Sequence, residues 1–66
     1  DSARRQAIAL MDGKTQQQWN NIVFQDPSVK GDATLKGAII QGTFVTEALA
    51  IGLVTRDDNG VFHLMK

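Results

Sequence analysis

The sequence has no cysteine and no tyrosine, one proline, one histidine and one tryptophan, and it carries no net charge. Without cysteine there is no disulfide framework, no zinc site built on thiolates and no thiol nucleophile. Seven Lys and Arg meet seven Asp and Glu, which argues against both a strongly basic nucleic-acid arm and an acidic solvating tail. The balance is also local, since Arg4-Arg5 is offset by Asp1 and Arg56 by Asp57-Asp58. No apolar run is longer than residues 48–54, counting Gly52 within it, and a membrane-spanning helix needs about 20 residues. No apolar segment of a secretory signal lies near the start. No membrane partner is expected, and the placement that follows is cytoplasmic. At 42% apolar residues the chain is too hydrophobic for a typical disordered segment.

Sixty-six residues make one domain, spanning 1–66, with room for only a small core. Such a domain is expected to lean on a partner, on a second copy in a homodimer, or on the rest of a longer protein. Asp1 is not a Met, and helical patterning begins at once, so the chain reads as a domain excised from something larger. N-terminal processing would leave the same start.

Residues 2–12 read as a helix capped by Ser2, with Ala3, Ala7, Ile8, Leu10 and Met11 on one stripe. Asp12-Gly13 stops it, Gly13 being free to take a left-handed conformation. Residues 15–25 open on a capping box, Thr15-x-x-Gln18, and continue with Trp19, Ile22 and Val23 at helical spacing. Asp26-Pro27 ends that element, because the residue before proline is pushed out of the helical region. Residues 28–31 then read as loop.

Asp32 is the next N-cap, followed by Leu35, Ala38 and Ile39 on a helical stripe through Gln41. Gly37 and Gly42 each cost about 1 kcal/mol relative to Ala inside a helix. A break at Gly42 is therefore preferred to one long helix, with Thr43 capping the next. Phe44, Ala48 and Ile51 share a face there, with Val45 and Leu49 beside them and Gly52 as the stop. A competing reading makes residues 39–46 a strand, because Ile39-Ile40 and Thr43-Phe44-Val45-Thr46 have high β propensity.

The last segment spells a β-hairpin: Leu53-Val54-Thr55-Arg56, a turn at Asp57-Asp58-Asn59-Gly60, then Val61-Phe62-His63-Leu64-Met65. A four-residue loop sets Leu53 opposite Leu64 and Thr55 opposite Phe62, leaving Val54, Arg56 and His63 on the other face. A two-residue Asn59-Gly60 turn instead pairs Arg56 with His63 and Val54 with Met65.

The fold class is α+β: a small helical domain with a helix-turn-helix and a C-terminal β-hairpin. Over residues 32–65 this order resembles a winged-helix domain. Residues 34–41 match the first helix of the motif, Gly42 its turn and residues 43–51 its second helix. Ala38, four residues before Gly42, is the small residue that lets the two helices pack closely. Residues 52–56 and 61–65 match the wing. The resemblance implies DNA binding, through the second helix and the wing. In this chain the second helix carries no Arg, Lys, Asn or Gln, and Gln41 stands where an apolar residue is usual.

No residues assemble a recognisable catalytic motif, and the chain is not expected to be an enzyme. His63 with Asp57, Asp58 or Glu47 is the one acid–base pairing available, and a lone strand histidine is more simply a surface residue. Asp57-Asp58-Asn59-Gly60 faintly echoes a calcium loop but lacks its acidic alternation and its closing Glu, so it reads as turn formers and no metal is expected. Gly31, Gly37 and Gly42 punctuate elements without the Gly-Lys-Ser/Thr of a phosphate loop. No cofactor is implied.

Two binding readings remain. For DNA, the candidate contacts are Lys30 and Lys36 around the start of the third helix, Thr43 and Thr46 on the second helix of the motif, and Arg56 and Asn59 on the wing. Base readout leans on Arg, Lys, Asn and Gln, and zero net charge predicts weak affinity. For a partner protein, the feature is the run 44–51, apolar almost all round, which is either central or docked to something.

Overall fold

In the computed structural model, residues 2–65 are described, and they form five helices followed by a two-stranded antiparallel sheet: α1 Ser2–Ala9, α2 Gln16–Val23, α3 Pro27–Lys30, α4 Ala33–Gln41, α5 Thr43–Ala50, β1 Val54–Arg56 and β2 Phe62–Leu64. The class is α+β, as expected. α1 packs on α3, α3 on α4, α4 on α5, and α5 on β1.

α1 buries Ala3 and Ala7, and Met11 is buried in the turn beyond it. It is shorter than the expected 2–12, and Ser2 is its first residue rather than its cap. The closing turn tightens, Met11 N–H donating to the Ile8 carbonyl at 3.0 Å. The Ala7 carbonyl is thereby left for the Trp19 indole N–H, at 2.8 Å and buried. A helix-end acceptor thus becomes the anchor of the one Trp, itself wholly buried. Gly13 takes φ 76°, as the stop there requires.

α2 starts on the expected capping box, Thr15 Oγ1 accepting from Gln18 N–H at 3.3 Å and Gln18 Oε1 from Thr15 N–H at 3.0 Å. Residues 28–31 are not the expected loop, since α3 occupies Pro27–Lys30. Asp26 holds extended backbone before the proline, as the steric rule demands. Its carboxylate accepts from Ser28 N–H at 2.9 Å, with Pro27 at the first helical position, where its missing N–H costs nothing. The pair that ends α2 also begins α3.

Asp32 caps α4 as expected, accepting from Leu35 N–H at 3.0 Å. Gly42, at φ 82°, closes α4 and opens α5. The strand alternative over 39–46 is excluded, those residues lying in α4, the turn and α5. Thr43 does not cap α5; it is the first helical residue, and its hydroxyl donates back to the Ala38 carbonyl at 3.2 Å. α5 buries Phe44, Val45 and Ala48. Ile51, expected on that face, is 62% exposed.

The hairpin register is neither of the two expected. Val54 pairs with Leu64, Thr55 with His63 and Arg56 with Phe62. The loop falls between the two lengths considered. A turn closed by Gly60 N–H to the Asp57 carbonyl, 3.0 Å, is followed by Gly60 at φ 79°, and Asp57 N–H then reaches the Val61 carbonyl at 3.0 Å. This is a three-residue hairpin loop with a glycine bulge. The shift puts Val54 and Phe62 into the core, fully buried, and Arg56 on their face of the sheet rather than opposite it.

β2 also has a second neighbour. Thr15 bridges Val61, Phe62 N–H donates to the Lys14 carbonyl at 2.8 Å, and Gly13 N–H donates to the Phe62 carbonyl at 2.9 Å. The link between α1 and α2 is thus tied to the outer edge of β2 by a single bridge and two backbone hydrogen bonds. The largest fully buried side chains are Met11, Trp19, Val23, Val29, Leu35, Val54 and Phe62, and α1 and α5 add Ala3, Ala7, Phe44, Val45 and Ala48 to the same core.

Candidate functional site

The six residues proposed for nucleic acid are distributed over four elements. Thr43 and Thr46 share a shallow hollow of about 300 Å³ with Gln41, Gly42 and Glu47. Both hydroxyl protons are committed, Thr43 Oγ1 to Ala38 and Thr46 Oγ1 to the Gly42 carbonyl at 2.9 Å, leaving each oxygen free to accept. Lys30 closes α3 and is exposed, Lys36 is half-buried on α4, and neither lines the hollow. Arg56 sits on the hairpin with its guanidinium carbon 5.9 Å from the Phe62 ring centroid, a cation–π position. Asn59 is at the exposed turn, its N–H donating to Asp57 Oδ1 at 2.9 Å. Glu47 therefore joins the two threonines, and the cations lie away from them.

His63 and Asp57 do come together, with Nε2 to Oδ2 at 2.8 Å, on the exposed side of the hairpin. The His63 hydrogen bond holds the Asp57 carboxyl below its ordinary value of 3.8, helped by the N–H groups of Val61 and Asn59. Neither residue lines the hollow at Thr43 and Thr46. The arrangement fastens the turn: one carboxylate oxygen takes two backbone N–H groups and the other takes the imidazole. Among the described residues, no group of three or more His, Asp or Glu side chains is placed to hold a metal ion.

A second concavity lies elsewhere. A cleft of about 370 Å³ opens between α1, α5 and the base of the hairpin. Its apolar lining includes Ile8 and Ala9, Phe44 and Ile51, Leu53 and Leu64; its charged lining is Arg4, Arg5 and Glu47. Phe44 forms its inner part, stacked on Trp19 at 5.9 Å between centroids and 10° between planes, with the Arg4 guanidinium carbon 5.8 Å from the Phe44 ring centroid. The apolar character of α5 signalled this surface in the sequence, but the contributions of Arg4, Arg5 and Leu64 did not.

No helix among the described residues is long and apolar enough to cross a membrane. Comparison with protein-family models, with curated proteins and with solved structures finds no match.

Proposed function

We propose that this chain is a non-catalytic binding module of winged-helix type, with DNA as its ligand. The observation that carries this reading is the continuity of helix-turn-helix and wing. α4 and α5 meet at left-handed Gly42, α5 packs on β1, and the hairpin is braced by an isolated bridge from Thr15 to Val61. The exposed residues of α5 are Thr43, Thr46, Glu47 and Ala50, and three of these four side chains are small, which suits close approach to a groove. Lys30, Lys36 and Arg56 stand on α3, α4 and β1, outside the hollow of Thr43 and Thr46; in this reading they serve phosphate contacts, while Asn59 at the turn reaches a second groove. Glu47 is the one acidic residue on that face; it repels phosphate, although a carboxylate can accept from a cytosine amino group. Binding in this reading is weak and governed by the backbone.

The test is titration of a labelled duplex with rising salt. Three phosphate contacts give a slope of about −2.7 in log–log form, or roughly 40-fold weaker binding between 50 and 200 mM salt. Lys36→Ala and Arg56→Ala each flatten that slope. No binding at about 50 mM salt, where electrostatic affinity is greatest, sinks the reading.

A second reading, recognition of a partner protein, is favoured by a different observation, the apolar cleft beside α5.

A further inference from the structure

We infer that the cleft between α1, α5 and the hairpin base docks a short amphipathic segment of a partner protein, apolar on the face it buries and acidic at its edge. This rests on the partner-protein reading rather than on the DNA reading, and it goes further by fixing the partner's chemistry.

The apolar part of the argument is placement. Single exposed hydrophobics are ordinary on any protein. Ile51 and Leu53, 62% and 46% exposed, are not single: they face Ile8 and Leu64 across one concave space. Its volume of about 370 Å³ lies within the roughly 300–1,000 Å³ of binding clefts. The walls are two helices and a hairpin end, a groove of the kind that accepts the apolar stripe of a helix at i, i+3 and i+4.

The charged part decides the partner's sign. Arg4 and Arg5 both line the cleft against a single carboxylate, Glu47. Arg4 is held in place by its packing on Phe44. Two guanidinium groups beside an apolar floor complement a carboxylate flanked by apolar side chains, and guanidinium binds carboxylate in a bidentate, directional way.

The experiment measures anisotropy of three labelled helical peptides against the 66-residue chain. One carries a Leu stripe edged by Glu, one has Lys for each Glu, and one has Ser for each Leu. The Glu–Leu peptide should bind at least about tenfold tighter than its Lys twin, equivalent to about 1.4 kcal/mol, and the Ser twin should fail to bind. Arg5→Glu, at an exposed position, should invert the Glu–Lys preference while circular dichroism stays unchanged. Ile51→Lys should weaken both Leu peptides. Equal binding of the Glu and Lys peptides overturns the acidic chemistry and leaves the partner-protein reading standing. Binding of neither Leu peptide overturns both. Self-association of the chain in sedimentation, abolished by Ile51→Lys, overturns the proposal by making a second copy the occupant.

Discussion

The ring of Phe44 stacks on the indole of Trp19, with centroids 5.9 Å apart and planes 10° from parallel. The pair joins the innermost side chain of the core to the floor of the cleft. Trp19 is also tied to α1 through its hydrogen bond to Ala7, so α1, α2 and α5 meet at these two rings.

Trp19→Phe is expected to cost more than the loss of one ring. It leaves the Ala7 carbonyl buried without its donor, worth about 1–3 kcal/mol, and adds a cavity. Urea denaturation should show a fall in the midpoint at unchanged slope. An equal midpoint would mean that water or a shifted backbone satisfies that carbonyl.

The two glycines of the helix-turn-helix should respond in opposite directions. Gly37 lies inside α4 with no atom within 4 Å of where a Cβ would stand, so Gly37→Ala should stabilise by about 0.5–1 kcal/mol. Gly42 also has open space, but at φ +82° an L residue pays about 1–2 kcal/mol. Gly42→Ala should therefore destabilise, and thermal melts of the two variants should move apart from the parent in opposite senses.

α3 and α4 each start on a single carboxylate, Asp26 and Asp32. Asp32→Ala removes the acceptor for Leu35 N–H and should cost about 1 kcal/mol, with Asp32→Asn retaining most of it. Chemical denaturation of both variants separates the cap from the charge.

The hairpin turn should loosen in acid. Asp57 is held below 3.8 chiefly by His63. A carboxyl whose folded pKa is depressed contributes stability that is fully present above its unfolded value and disappears as pH falls through its folded one. The loss is therefore expected below about pH 3.8. Hydrogen exchange at Asn59 and Val61, whose N–H groups Asp57 accepts, should report it once corrected for intrinsic rates. His63→Ala should bring the Asp57 titration back toward its ordinary value.

Signals confined to one turn of chain were legible in the sequence. The Thr15–Gln18 box, the Asp32 cap and the Gly42 break depend on neighbours within four residues, and each stands as expected. α3 is not legible in the sequence because Asp26-Pro27 is ambiguous: proline excludes helix before it and favours helix after it. The hairpin register was missed because a glycine bulge adds a residue that strand patterning does not count. The cleft could not be read locally at all, since it brings Arg4, Phe44 and Leu64 together from the two ends and the middle of the chain.

The bonds from Phe62 to Gly13 and Lys14 bear on the order of events during synthesis. Phe62 is among the largest fully buried side chains, and its backbone is fastened to a segment made almost fifty residues earlier. The helices can form as they emerge and α1 can settle on α3, but the core lacks Phe62 and Val54 until the hairpin follows. Joining segments so far apart costs loop-closure entropy that the contacts between successive helices do not. A ribosome paused before Phe62 holds helices without a completed core, the interval in which a chaperone or a protease would find this domain open.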